Sequence, residues 1–190
     1  MRAIFEFTFL VLLRGGDNMR SEYAPKGEIV HLLAALMPEN RLACEISLAT
    51  GLRINDVLSL KTEAVKKRRF TVREEKTGKT KAVYLPADLQ ARALACSGQH
   101  FVFEGRLNGK QHRTRQAVFK DLRRVSNAFL IKKHISPHSL RKIYAVEEYK
   151  KYGDLQRVKK LLNHNSEAVT MLYAFANELS KRKSFTKSRK

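Results

Sequence analysis

Acidic side chains are scarce in this sequence. Eighteen Asp and Glu stand against 38 Lys and Arg, a formal net charge of +20 at pH 7. An imbalance of that size points to a polyanionic partner. Cysteine is almost missing, with Cys44 and Cys96 the only two. Two thiols in apolar, helical-looking surroundings exclude a disulfide scaffold and read as buried side chains in a reducing cytoplasm. Metal-ligand spacing is lacking too. His31, His100, His112 and His134 are scattered, no Cys/His cluster has zinc spacing, and neither a metal nor a cofactor is expected. No apolar run is long enough to span a bilayer. No long amphipathic helix carries a Lys/Arg face, so nucleic acid rather than an anionic membrane is the expected polyanion. No internal repeat is visible. What is present is enough for one domain with a real core: 190 residues, 43% of them hydrophobic.

The two ends differ from the middle. An apolar run from Ile4 to Leu13, interrupted by Glu6, follows Met1-Arg2-Ala3. It has the look of a secretory apolar segment, but the basic, Cys-poor body argues against secretion. Residues 1–18 therefore read as an extension, either a strand added to the sheet or an artefact of start-codon choice, with Met19 as the alternative start. Residues 1–26 together form an N-terminal arm, 27–176 the domain, and 177–190 a basic tail. The tail carries Lys181, Arg182, Lys183, Lys187, Arg189 and Lys190 and, from Ser180 onward, no acid. Such a segment is expected to be disordered when free.

Between the ends the elements follow in order. Ile29, Leu32, Leu33 and Leu36 recur at helical spacing, and Pro38 is expected to end that helix. A second helix is predicted over 40–49 with Leu42, Ile46 and Ala49 inward, broken by Gly51. A third is predicted from Ile54 to Leu60, holding Arg53 at its head. This outline also fits a DNA-groove reader, but Arg53 lies in the turn rather than on the second helix, which favours catalytic scaffolding. Residues 69–73 and 80–85 alternate at period two around a Gly78 turn and predict a hairpin with a basic tip. A helix over 87–96 and a third strand over 100–103 follow. A long helix over 114–132 places Val118, Leu122, Val125 and Phe129 inward. Its other faces present Arg115, Lys120, Arg123 and Arg124 as candidate contacts to backbone phosphates. Further helices are predicted over 139–150, over 155–162 with an Asp154 cap, and from Ser166 to Tyr173.

Function concentrates in Ser136–Tyr173. Pro137 restricts Ser136 to extended geometry, so a helix starts here. His138 and Arg141, three apart, share its first face. A helix N-terminus bearing His and Arg suits an anion, with phosphate the obvious candidate. Upstream, Thr50 to Leu60 reads TGLRINDVLSL and Glu74 to Pro86 reads EEKTGKTKAVYLP. Downstream come SPHSLRK from Ser136 and LLNHNSEAVTMLY from Leu161. In this order of Arg, Lys, His-x-x-Arg, His and Tyr, the chain resembles the tyrosine recombinases, or phage integrases, over roughly residues 27–176. No one of these words carries the resemblance alone; six polar positions in order do.

The resemblance implies an α+β, mainly α, catalytic domain: a helical bundle with a small three-stranded antiparallel sheet. It implies cleavage and rejoining of double-stranded DNA through a 3′-phosphotyrosine, without metal or ATP. By that likeness Tyr173 is the nucleophile and Arg53 and Arg141 clamp the non-bridging oxygens. Lys76 protonates the leaving 5′ oxygen, His138 accepts the Tyr173 proton, and His164 bonds a phosphate oxygen. Asp56 supports the site without touching substrate. Each has a plainer reading as well. Tyr173 alone is an ordinary helix tyrosine, with Tyr144, Tyr149 and Tyr152 as rivals. Of these, Tyr144 fits a core face, whereas Tyr149 and Tyr152 fit solvent or DNA. Lys79 rivals Lys76, His164 reads as a helix-end histidine, and Arg53 as a surface charge.

Arg53 comes too early in the chain for the N-terminal helical domain that most family members use to clamp DNA. The size is similar to the short recombinases that invert a fimbrial promoter switch; a truncated gene or half of a split system fits too. Further expectations from the resemblance are a homotetramer on two duplexes, an accessory DNA-bending protein, no membrane, and a bacterial or phage-encoded protein at the nucleoid in the cytoplasm. Two other functions fit the same fold: a catalytically silent DNA-binding regulator, and a type IB topoisomerase-like enzyme.

Overall fold

The computed structural model describes residues 21–24 and 26–162, and the architecture is that of these residues. The first helix, α1 (Lys26–Ala34), buries the Ile29, Leu32 and Leu33 stripe, and Leu36 is buried just beyond it. Pro38, expected to close this helix, instead opens the next one, α2 (Pro38–Thr50), at its first turn. Its missing N–H costs nothing there and its fixed φ suits a helix start. The Met37 N–H ahead of it donates to Asp121 Oδ2 (2.8 Å), which also accepts from Asn40 Nδ2 at 2.7 Å. The inward stripe of α2 is Leu42, Ala43, Ile46, Ser47 and Thr50. Ala49, expected inward, is exposed because Thr50 takes that place and donates its hydroxyl to Ile46 O.

Gly51 ends α2 with φ +66°, its N–H donating to Ser47 O at 2.8 Å. Two constraints meet here. The left-handed conformation disfavours any Cβ, and a Cβ would lie 2.3 Å from Cδ1 of Tyr144. Gly51→Ala should therefore destabilise the protein by about 2–5 kcal/mol, combining backbone strain with overpacking. Urea denaturation checks this; a loss under about 1 kcal/mol would mean that the Tyr144 helix yields to the methyl group instead.

After the turn come two short helices, α3 (Ile54–Leu58) and α4 (Thr62–Val65), with Val57, Leu58, Leu60 and Val65 all buried. The hairpin follows the predicted alternation. Strands β1 (Arg69–Arg73) and β2 (Thr80–Tyr84) pair antiparallel, with Phe70 opposite Val83 and Val72 opposite Lys81. Helix α5 (Ala87–Cys96) packs through Leu89 and Ala93. Cys96, expected to be buried like Cys44, is exposed, because it stands at the end of α5 beyond that stripe.

The expected third strand does not form, and among the described residues the sheet has two strands. Phe101 makes only an isolated bridge to Lys61, and Glu104 another to His112. Thr62 N donates to His100 O and Val102 N to Leu60 O. The 100–103 segment thus pairs with the chain entering α4, not with the hairpin edge.

Helix α6 (Arg115–Ala128) is capped by the Thr114 hydroxyl and buries Val118, Leu122 and Val125. Phe129, expected inward, is 52% exposed. The helix stops one residue before it, and Leu130 turns the chain with φ +52°. Helix α7 (Pro137–Tyr152) starts in a capping box between Ser136 and Ser139 and ends at Gly153. Its Leu140, Ile143 and Val146 are buried. Asp154 caps α8 (Leu155–Leu162), its Oδ1 accepting from Gln156 N and Arg157 N at 2.8 and 3.1 Å. Most apolar side chains form one core, and Ala145, Val158 and Leu162 form a second, smaller cluster with Tyr144 and Tyr149 against it. Tyr152 is 43% exposed. Residues 1–20 of the arm, the predicted Ser166 helix and the basic tail lie outside the described residues.

Candidate active site

Arg53 caps the start of α3 in extended geometry, directly after the Gly51 turn. That turn lets its side chain reach across to the hairpin, where Nη1 lies 2.9 Å from Glu74 Oε2. Arg141, one helical turn inside α7, reaches the same carboxylate from the other side, Nη1 lying 3.7 Å from Oε1. Arg141 also donates Nη1 to Gly51 O at 2.9 Å and Nη2 to Leu162 O. It therefore links the end of α2, the start of α7 and the end of α8 at one guanidinium. Its side chain is 1% exposed, against 13% for Arg53. Arg53 is thus the more exposed side chain, although its Nη1 and Nη2 are themselves buried, and Arg141 supplies positive potential from within.

Glu74 is the residue that sequence reasoning missed. Its side chain is fully buried, and Thr77 Oγ1 donates to Oε2 at 2.8 Å. Burial alone would raise its carboxyl pKa. The Thr77 hydroxyl and the Arg53 and Arg141 guanidiniums outweigh that and hold it below the ordinary value. The available signal is strand parity: Phe70, Val72 and Glu74 occupy alternate positions, and the alternation that buries Val72 also turns Glu74 inward.

The base of the hairpin is tied to α3 more than once. Asp56, 2% exposed, accepts the Glu75 N–H on Oδ1 at 3.0 Å. Asn55 Nδ2 donates to Glu75 Oε2. Burial, helped by nearby Glu74, raises the Asp56 pKa, with the Glu75 N–H and Arg53 pulling the other way. Asp56 thus ties the backbone of the hairpin base to α3. Lys76 stands one residue past this anchored base and is exposed. The tip is closed by Gly78 N donating to Glu74 O at 2.8 Å, and Gly78 has φ +66° with open space where a Cβ would be. Lys79 is also exposed.

A second inward cation lies beside the arginines. Lys81, opposite Val72 in the ladder, is 8% exposed and donates to Thr50 O at 2.8 Å. Its Nζ sits 5.6 Å from the Tyr144 ring centroid. Burial, and then the neighbouring Arg141 charge, push its pKa down to about 8. His138 is half-buried at the start of α7, three residues before Arg141, its N–H donating to the Ser136 hydroxyl at 3.3 Å.

The structure therefore brings Arg53, Arg141, Asp56 and the base of the Lys76 hairpin together around Glu74. On α6, Arg115, Lys120, Arg123 and Arg124 are exposed. Arg124 is held by Asp121 Oδ1, at 3.0 Å from Nε and 2.7 Å from Nη2, and by Ala35 O. His164, Tyr173, Lys181, Arg182 and Lys183 lie outside the described residues. Among the described residues no three His, Cys, Asp or Glu side chains gather as a metal site. Nor is any helix there long and apolar enough to cross a membrane.

Known proteins share both the sequence and the fold. The integrase of Escherichia phage P2 is 28% identical over 172 residues, covering 87% of this chain and 48% of its own length. The chain spans about half the length of the curated relatives it matches. Among solved structures, XerA recombinase superposes with a TM-score of 0.66 at 22% identity, over 89% of this chain and 65% of that one. A lambda integrase tetramer bound to a Holliday junction gives 0.66 at 18% identity, over 82% of this chain and 49% of that one. The mainly helical fold with a small antiparallel sheet is theirs. The phage integrase family itself matches residues 23–179, a span that takes in every polar position around Glu74, and the chain belongs to that family.

Proposed function

We propose that this protein is a tyrosine-type site-specific recombinase that cleaves and rejoins double-stranded DNA without metal or ATP. The observation that carries the reading is the gathering of Arg53 and Arg141 on one carboxylate, beside a hairpin whose exposed tip bears Lys76. Phosphodiester cleavage without metal needs a nucleophile, positive charge on the developing phosphorane, and an acid for the leaving oxygen. Arg53, and Arg141 behind it, stabilise the non-bridging oxygens; a permanently charged guanidinium suits this better than an ammonium. Tyr173 Oη attacks phosphorus, and its proton passes to His138. The bond to the 5′ oxygen breaks as Lys76 protonates it, leaving a 3′-phosphotyrosine and a free 5′-hydroxyl. His164 bonds a phosphate oxygen, and Asp56 holds the hairpin. Reversing the steps onto another strand restores the phosphodiester, so strands exchange with no external energy source.

The net charge of +20 supports DNA as the partner, with binding that weakens steeply as salt rises. Lys79, Arg115, Lys120, Arg123 and the basic tail are the side chains available for backbone contact. A homotetramer on two duplexes, assisted by a DNA-bending protein in the cytoplasm of a bacterium, completes the reading. The test is a nicked duplex built from inverted repeats in the DNA flanking the coding sequence, incubated in EDTA and run on a denaturing gel. A denaturant-stable protein–DNA adduct is expected. Tight binding with no adduct would make the protein a silent DNA-binding regulator instead.

A further inference from the structure

We propose that Glu74 is a positioning residue: it sets the two guanidiniums for the transferred phosphate and ties their placement to the hairpin that carries Lys76. The proposal rests on the recombinase reading above for its catalytic consequence, but not for its structural part. Each carboxylate oxygen faces a different arginine, Oε2 to Arg53 at 2.9 Å and Oε1 to Arg141 at 3.7 Å. Two like charges held this close repel unless an anion lies between them, and a buried anion is strongly disfavoured unless cations meet it. Each group thus makes the other two tenable. The same side chain accepts from Thr77 Oγ1, while its backbone carbonyl accepts from Gly78 N and its N–H donates to Lys79 O. Glu74 is therefore both the closing residue of the turn and the counter-ion of the clamp. A shift of the hairpin moves the arginines, and the reverse.

Its location decides between two roles. An anion sitting in the seat meant for a phosphate would face solvent when no DNA is bound. Glu74 is fully buried, and on Arg53 the terminal nitrogens are buried with it, Nη2 meeting no hydrogen-bond acceptor among the described residues. The carboxylate therefore belongs to the interior beneath the clamp and engages Nη1 of Arg53, leaving the Nη2 donor for substrate. With Asp56 holding the Glu75 N–H and Asn55 holding Glu75 Oε2, the hairpin base is fixed at adjacent residues. Lys76 then stands at a set distance from the clamp, which is what protonation of the leaving oxygen of that same phosphate requires.

Glu74→Gln keeps the shape and removes the charge. Without DNA, exchange of the Arg53 and Arg141 guanidinium hydrogens, read by NMR, should quicken by about tenfold or more; unchanged exchange overturns the placement whatever DNA does. On a nicked duplex that the wild type cleaves, the variant should form adduct about 100-fold more slowly while DNA affinity stays within about threefold. The deficit should fall below about tenfold when the scissile phosphate is a methylphosphonate, whose methyl group replaces the charged oxygen the guanidiniums meet. Equal deficits on both substrates, or a full rate on the natural one, overturn the positioning role. Tighter binding with faster cleavage also overturns it, by making Glu74 a plug. Where Glu74→Gln does not fold, Glu74→Asp, which withdraws the charge by one methylene, takes its place in the same comparison, and the same results support or overturn the role. A wild type that forms no adduct sinks the recombinase reading instead, with the exchange measurement still deciding the placement.

Discussion

Lys76→Ala should slow cleavage of ordinary DNA by about 10²–10⁴-fold, the range for removing a positioned general acid. The side chain is exposed at the hairpin tip and makes no part of the core, so folding should be unchanged. The loss belongs to one step, protonation of the departing 5′ oxygen. Replacing that oxygen by sulfur removes the need, because a thiolate leaves without a proton at neutral pH far more readily than an alkoxide. On a 5′-thio substrate the variant should therefore approach the wild-type rate. Lys79→Ala, two residues past the anchored Thr77, should lose little on either substrate. A Lys76→Ala deficit of equal size on oxygen and sulfur would show that Lys76 is not the acid.

Arg53→Lys should cost about 10²–10³-fold in cleavage rate with DNA affinity little changed. Lysine is the informative replacement because it leaves a cation for Glu74. Truncation to Ala would leave a fully buried carboxylate with only the longer Arg141 contact and the Thr77 hydroxyl, and would confound chemistry with folding. What lysine cannot supply is the planar fork that reaches Glu74 with one nitrogen and a phosphate oxygen with another. Affinity should hold because a surface carrying +20 distributes binding over many contacts. Single-turnover adduct formation and filter binding separate the two effects; a parallel loss of affinity would make Arg53 a binding residue rather than a transition-state one.

The features readable from sequence are the local ones. Gly51 before Arg53 marks a helix end and fixes the arginine in a turn, as found. The period-two runs about Gly78 specify the hairpin, whose strands pair antiparallel. Pro137 after Ser136 marks the start of α7, and Asp154 the start of α8. The features that escape are decided by distant partners. Arg141 looks like an exposed helix-start arginine; it is buried because Gly51 O and Leu162 O, 90 and 21 residues away, converge on it. Glu74 reads as part of a polar turn until the alternation of Phe70 and Val72 is carried one step further. The 100–103 segment has strand-like composition, but nothing in it says which edge it meets, and it met the approach to α4. Pro38 punctuates the chain at the right place with the wrong sense, opening a helix because Asp121 receives the preceding N–H. Phe129 continues an inward stripe on paper, yet the helix carrying that stripe has ended.

The chemistry stands or falls on where the covalent bond forms. The protein should be trapped on the nicked duplex in EDTA, digested, and the DNA-linked peptide identified by mass spectrometry. The prediction is a single nucleotide-bearing peptide with the linkage on Tyr173, absent from Tyr173→Phe and present in Tyr144→Phe, Tyr149→Phe and Tyr152→Phe. An adduct that survives Tyr173→Phe, or one mapped to any other side chain, would contradict it.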